Sequence, residues 1–192
     1  MLPRICLAVS LLLAATLAFA DIDPSLLEKL RHGGYVLFLR HTSTDFSQND
    51  ARMSSYEDCA NQRNLTGKGR AEAGALGEHL KRLAIPVGPV YASPFCRTME
   101  TARLAFGRAE RLNEARGGPT NDVARYEPLR RLLATSPPTR QNAIIASHGN
   151  PFYALFGPPY LAEGEIAVVQ PDAANGPAII GRVRLEDWQT LR

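Results

Sequence analysis

The sequence predicts an α/β fold, three layers (α/β/α) around a largely parallel central sheet. Three observations carry that expectation. Tyr35–Arg40, Val87–Ala92 and Ala143–Ser147 are short apolar runs rich in β-formers. They lack the alternation of a half-exposed strand and suit strands buried on both faces. Segments of helical period lie between them, the pattern of crossover connections in a parallel sheet. Each run also ends by delivering a cation, a hydroxyl or an imidazole: Arg40-His41, Ser93 leading to Arg97, and Ser147-His148. Open α/β sheets bind ligands at the carboxyl ends of their strands.

The elements follow in chain order. Residues 1–20 read as a secretory signal. Arg4 supplies a positive start, Leu7 to Leu17 is apolar except for Ser10 and Thr16, and Ala18-Phe19-Ala20 places small residues where signal peptidase reads. The run is short for a membrane span, and an uncleaved anchor is the rival reading. Cleavage before Asp21 leaves residues 21–192 as one domain, large enough for a sizeable core, with no stable membrane span and a periplasmic or secreted location. Ser25 to Arg31 reads as a short helix stopped at Gly33-Gly34. After the first strand, His41 to about Asn64 is polar and irregular, a long functional loop. Thr66 is positioned to cap a helix to about Leu83, with Leu76, Leu80 and Leu83 as its apolar stripe. Ser93-Pro94 reads as an N-cap and first helical residue, opening a helix to Phe106 and Gly107. Asp122 to Leu133 is a further helix, kinked or delayed by Pro128. A short helix follows His148-Gly149-Asn150-Pro151. Glu165–Gln170 and Ala178–Leu185 are two last strand candidates, and Trp188 reads as core.

Composition narrows the function classes. The 22 basic and 19 acidic residues leave a net charge of +3. With no basic block, repeat or low-complexity tail, nucleic acid is excluded as a partner. Gly67-Lys68-Gly69 has the wrong spacing for a phosphate-binding loop, and two histidines without clustered carboxylates or thiolates make no zinc site. No cofactor is expected. Cys59 and Cys96 are either a disulfide, worth about 3–4 kcal/mol in the chain-entropy model, or two unpaired thiols; spacing does not decide.

The strand ends bring Arg40, His41, Arg97 and His148 around one crevice. Guanidiniums are planar forks that match phosphate oxygens and stay charged at any working pH. A neutral imidazole among them is able to attack phosphorus, and phosphoryl transfer asks mainly for positioning and charge stabilisation.

The motifs also carry a resemblance. Leu39-Arg40-His41-Thr42 resembles the arginine–histidine signature of the histidine phosphatase superfamily, which includes phosphoglycerate mutases and acid phosphatases. Leu65 to Ala73 is similar to its second conserved segment, Ser93 to Ala102 to its next signature, and Ser147-His148-Gly149 to its last. The resemblance runs from about Tyr35 to Phe152 and implies a phosphoglycerate mutase-like fold and a phosphoric monoester hydrolase. It makes His41 the phosphorylated nucleophile, with Arg40, Arg97 and His148 as phosphate ligands. It makes Glu114 the leaving-group acid, with Asp45 in reserve. Thr42 stands where many relatives have glycine, and is expected to offer its backbone amide to the phosphate. Segment Asp58 to Leu65 resembles one in small secreted bacterial members; Arg63 there either reaches substrate or pins the loop.

The resulting expectation is an exported, metal-independent phosphomonoesterase acting on a small phosphorylated substrate or a phosphorylated envelope sugar. The alternative is a catalytically silent phosphate- or phosphosugar-binding domain. Export and the short stretch after Glu114 argue against a mutase. The oligomeric state is open.

Overall fold

The computed structural model describes residues 24–192; the expected signal segment, residues 1–20, lies outside them. Among the described residues the elements are α1 (Pro24–His32), β1 (Val36–Arg40), α2 (Gly67–Arg82), β2 (Val87–Ala92), α3 (Cys96–Phe106), β3 (Glu110–Arg111), α4 (Glu127–Leu133), β4 (Asn142–Ser147), α5 (Gly149–Phe156), β5 (Ile166–Gln170) and β6 (Ala178–Val183). Short 3₁₀ turns join several of them. The strands form one open sheet in the order β3-β2-β4-β1-β5-β6. The β3-β2-β4-β1 part is parallel, whereas β5 runs antiparallel to β1 and β6 antiparallel to β5.

The unalternated apolar runs are explained by burial on both faces. Leu37 and Leu39 of β1 point to one side, with Ile144 and Ala146 of β4 and Val90 and Ala92 of β2. There they meet Leu26 and Leu30 of α1, Leu76 and Leu80 of α2, and Met99 and Ala102 of α3. Val36, Phe38, Ala143 and Ile145 point to the other side, against Leu129 and Leu133 of α4 and Phe152 of α5. Fully burying one such leucine stabilises by about 1.5–3 kcal/mol, so both helical layers are held by the same strands. Trp188 is fully buried in the first cluster, as its expected core role requires.

Local signals set the helix ends. Thr66 Oγ1 accepts the Gly69 N–H at 2.9 Å and caps α2. Gly69 also lies where a Cβ would collide with the Ser43 carbonyl, so glycine lets α2 lie against the chain leaving β1. Gly107, at φ 71°, closes α3. Pro128 delays its helix as expected: a 3₁₀ turn, Val123–Tyr126, precedes α4. One helix start is corrected. α3 begins at Cys96 with no side-chain cap, not at Pro94, because the Ser93 hydroxyl is engaged elsewhere, on His148. β3 carries no apolar signal, being two exposed residues that pair with Tyr91 and Ala92.

The register brings the strand ends level. Arg40 is opposite Ser147, and Ala92 opposite Ala146. The His41 N–H donates to the Ser147 carbonyl at 3.1 Å, and the Ser93 N–H to Ala146 at 2.9 Å. Residues 42–64 form the expected long loop, holding only a 3₁₀ turn at Cys59–Asn61 and the isolated bridge of Thr44 to Leu65. A disulfide joins Cys59 to Cys96, with Cα atoms 5.7 Å apart, and staples this loop to the start of α3.

Candidate active site

At the carboxyl edge lies a cavity of about 450 Å³ whose walls include Arg40, His41, Arg97 and His148. The four residues expected together from the strand ends are therefore brought together. His41 is 1% exposed and His148 6%. Their rings meet edge to face with centroids 5.5 Å apart.

Hydrogen bonds settle the His41 tautomer. Nδ1 lies 3.0 Å from the Thr42 carbonyl, which only accepts, so Nδ1 carries the proton. Nε2 is then bare, without a hydrogen-bond partner among the described residues, and has a lone pair to offer. Burial, followed by the charge of Arg97, pushes the His41 pKa well below the ordinary imidazole value. The same causes, in the same order, hold His148 well below it. Both rings are neutral at neutral pH, as a nucleophile requires. Glu163, reached by the chain after α5, backs His41: its Oε1 is 3.8 Å from Nδ1 and 3.8 Å from Arg40 Nη2. Thr44 fixes that carboxylate, donating from Oγ1 at 2.6 Å and from its amide at 3.2 Å. His148 Nε2 is 2.8 Å from Ser93 Oγ.

The arginines are held from behind. Arg40 Nη1 donates to the Leu161 carbonyl at 2.6 Å. Gly149 makes room here, since a Cβ would approach the Tyr160 ring to 2.8 Å and Arg40 Nη1 to 3.5 Å. Arg97 is 5% exposed and stacks over Phe95. Its Nη1 and Nη2 donate to Asp50 Oδ1 and Oδ2 at 3.0 and 3.1 Å, a bidentate pair. Burial lowers the Arg40 and Arg97 pKa values, and Glu163 and Asp50 respectively act against this. The Nε atoms of Arg40, Arg63 and Arg97 are buried without a hydrogen-bond partner among the described residues. Such donors favour an anion placed against them.

Three expectations need correction. Glu114 does not reach the cavity. It is exposed, in a 3₁₀ turn whose neighbour Ala115 is the buried member, held by the Ser147 hydroxyl on its carbonyl at 2.7 Å. With Ala115 turned inward, Glu114 faces a separate small pocket with Asn113, Arg116, Arg125 and Pro128. Asp45 does not reach the cavity either; it accepts from the Ser47 amide and hydroxyl at 2.9 and 2.7 Å in a local turn. Thr42 is fully buried, and both its amide and its hydroxyl go to Thr101 Oγ1, each at 3.3 Å. Thr101 in turn donates to the Arg97 carbonyl at 2.7 Å, so Thr42 ties the chain after His41 to α3 and does not offer its amide to a phosphate.

Other residues at the site escaped the sequence reading. Asp50, Gln48 and Asn49 line the cavity from the loop, and Tyr160 and Asn150 line it from the other side. Asp50 is the carboxylate among the lining residues. Nothing in the loop's composition singles it out from its polar neighbours. Glu163 carried a weak signal, as an acid just before a predicted strand.

Two buried neutral imidazoles among guanidiniums, at the carboxyl edge of an α/β sheet, form a site whose chemistry suits an anion such as phosphate. Residues 36–123 match the model of the histidine phosphatase superfamily (branch 1). The matched region ends before His148, which the fold nevertheless places beside His41. Among solved structures, the protein histidine phosphatase SixA complexed with tungstate is 20% identical, with a TM-score of 0.56, covering 79% of this chain and 97% of its own. A mycobacterial glucosyl-3-phosphoglycerate phosphatase with inorganic phosphate is 16% identical, with a TM-score of 0.58, covering 80% and 99%. The phosphoserine phosphatase of Entamoeba histolytica with 3-phosphoglyceric acid is 13% identical, with a TM-score of 0.57, covering 77% and 95%. At these identities the likeness is one of fold. No curated protein sequence matches the chain.

Proposed function

We propose that this protein is an exported, metal-independent phosphomonoesterase that works through a phosphohistidine on Nε2 of His41. The observation that carries the reading is the His41 ring itself: buried, neutral, its Nδ1 proton held by the Thr42 carbonyl, and flanked in one cavity by Arg40, Arg97 and His148. Nε2 attacks phosphorus as the bond to the ester oxygen breaks, and the guanidiniums stabilise charge on the equatorial oxygens. Asp50 relays the proton of the monoanionic phosphoryl group to the leaving oxygen. Water then attacks the phosphohistidine, passing its proton through the same carboxylate to the departing phosphate as the P–N bond breaks.

Export is supported by the signal-like layout of residues 1–20 and by a disulfide that an oxidising compartment maintains. Among the described residues no helix is long and apolar enough to cross a membrane. A cavity of about 450 Å³ fits a phosphoryl group with a small polar remainder. Its amide and aromatic walls, Gln48, Asn49, Asn150 and Tyr160, suit a polyhydroxylated or carboxylated one, such as a phosphorylated envelope sugar.

The test is hydrolysis of p-nitrophenyl phosphate by the purified protein in excess chelator, beside His41→Ala. Wild-type turnover is expected to survive chelation, and the variant to lose about a thousandfold or more. Activity lost in chelator and restored by a divalent ion overturns the metal-free mechanism. Phosphate binding without turnover assigns the chain to the silent binding domain.

A further inference from the structure

The cavity holds a third guanidinium, that of Arg63, which has no place in the mechanism above. Arg63 enters from the loop and not from a strand end, and its backbone is fixed at two points. Its N–H donates to Asp50 Oδ1 at 2.9 Å, and its carbonyl accepts from Arg97 Nη1 at 3.1 Å. Its side chain differs from the other two arginines. Arg97 has both terminal nitrogens on Asp50, and Arg40 has Glu163 at 3.8 Å. The Arg63 guanidinium lies 4.7 Å from the centroid of the Phe46 ring and makes no ion pair among the described residues. Its Nε is buried without a hydrogen-bond partner there.

Charge counting shows what Arg63 adds. Arg40 and Arg97 stand beside two carboxylates, Glu163 and Asp50, so these four groups present no net charge to an incoming phosphate. Arg63 supplies the uncompensated positive charge of the cavity. A buried guanidinium nitrogen without an acceptor is costly, and an anion in the cavity offsets that cost. Both terminal nitrogens of Arg97 are also already engaged, which leaves part of a phosphate clamp to another residue.

Resting on the phosphatase reading, we infer that Arg63 is a further catalytic residue, a third guanidinium that holds the oxygens of the transferred phosphoryl group. It acts on the part common to all phosphate monoesters, whatever the leaving group. The neighbouring ring of Phe46, 70% exposed, orients the guanidinium by cation–π contact.

Calorimetric titration with inorganic phosphate tests this in wild type, Arg63→Gln and Arg63→Lys. Arg63→Gln is expected to weaken phosphate binding by about ten- to a hundredfold, with Arg63→Lys intermediate, because lysine keeps the charge but not the fork. kcat/KM for p-nitrophenyl phosphate and for phosphoserine, which carries an extra carboxylate, is expected to fall by the same factor, with the unfolding midpoint unchanged. Phosphate affinity within twofold of wild type in Arg63→Gln overturns the inference. So does a loss confined to phosphoserine, which makes Arg63 a reader of a second anion, or a loss with a lowered midpoint that Arg63→Lys does not relieve, which makes it a loop pin. Weakened phosphate binding in a protein whose wild type turns over neither ester keeps Arg63 as a phosphate ligand and sinks the phosphatase reading, and with it the catalytic role. Turnover that is indifferent to Arg63→Gln does the reverse.

Discussion

A carboxyl moves protons for a phosphoryl group only from within hydrogen-bond reach, directly or through one water. Asp50 meets that condition by lining the cavity, whereas Glu114 faces a separate pocket and Glu163 stands behind the nucleophile. Asp50→Asn is expected to lower kcat about a hundredfold or more for alkyl phosphates and much less for p-nitrophenyl phosphate, whose leaving group needs no proton. Glu114→Gln is expected to stay within about threefold of wild type on both esters, since an exposed group outside the cavity has no access to the reacting atoms. A leaving-group-dependent loss in Glu114→Gln and none in Asp50→Asn restores the acid that the family motif suggests. The difference in legibility has a physical origin. Arg40, His41, Ser93 and His148 are readable because each ends or directly follows a buried strand, and strand ends converge by topology. Arg97 is readable from its motif one turn further on. Carboxyls near the site come from loops, whose path depends on which neighbour turns inward: Ala115 and not Glu114 is buried, and Asp50 and not Asp45 lines the cavity. Thr42 misleads for a related reason, because its partner Thr101 is 59 residues away.

At the scale of elements, the loop of residues 42–64 gains its order from its attachments. The disulfide joins it to Cys96, and Gln62, 1% exposed, accepts the Cys96 amide on Oε1 at 2.9 Å while donating from Nε2 to the Tyr56 carbonyl at 3.1 Å. Cys96 sits one residue before Arg97, and Cys59 and Gln62 lie seven and four residues before Thr66, where the loop returns. The loop supplies Gln48, Asn49, Asp50 and Arg63 to the cavity, so its anchoring and the site are coupled. Cys59→Ser is expected to lower stability by about 4 kcal/mol or less, the chain-entropy value for a 37-residue separation. It is also expected to raise KM several-fold, and a reductant should do the same to wild type and nothing to the variant. Equal unfolding midpoints and KM values for reduced and oxidised wild type would show that Gln62 and the ion pair hold the loop unaided. All five helices and every strand but β3 were legible, because burial on both faces removes polar residues from the central strands, and apolar stripes and end signals mark the helices. The antiparallel course of β5 and β6 was not, since their side chains satisfy either direction and only the short return from α5 sets it.

For the whole molecule, the site carries a stability cost that pH makes measurable. Folding buries two imidazoles beside arginines, and burial first, Arg97 second, drives both pKa values well below the ordinary one. In the unfolded chain the same histidines titrate near 6.5. Above that value both states leave them neutral, and they contribute no pH dependence. Below it the unfolded chain takes up protons that the folded chain refuses, so stability falls as pH drops from about 6.5 toward the depressed folded values, by up to about 1.4 kcal/mol per pH unit for each histidine. Against a typical domain stability of about 5–15 kcal/mol that is a large fraction. Urea unfolding at pH 7.5 and pH 5.5 is expected to show wild type losing about 1–3 kcal/mol. His148→Gln should lose roughly half as much, because one titrating ring is gone, and saturating phosphate should deepen neither slope. Equal wild-type stability at the two pH values would mean that the rings take up protons within the fold. The nucleophile would then be charged on the acid side, and turnover would fall below pH 6.5 together with the lost stability gradient. A retained gradient pairs instead with a nucleophile that stays neutral, so that one denaturation series reports on the protonation state from which His41 attacks.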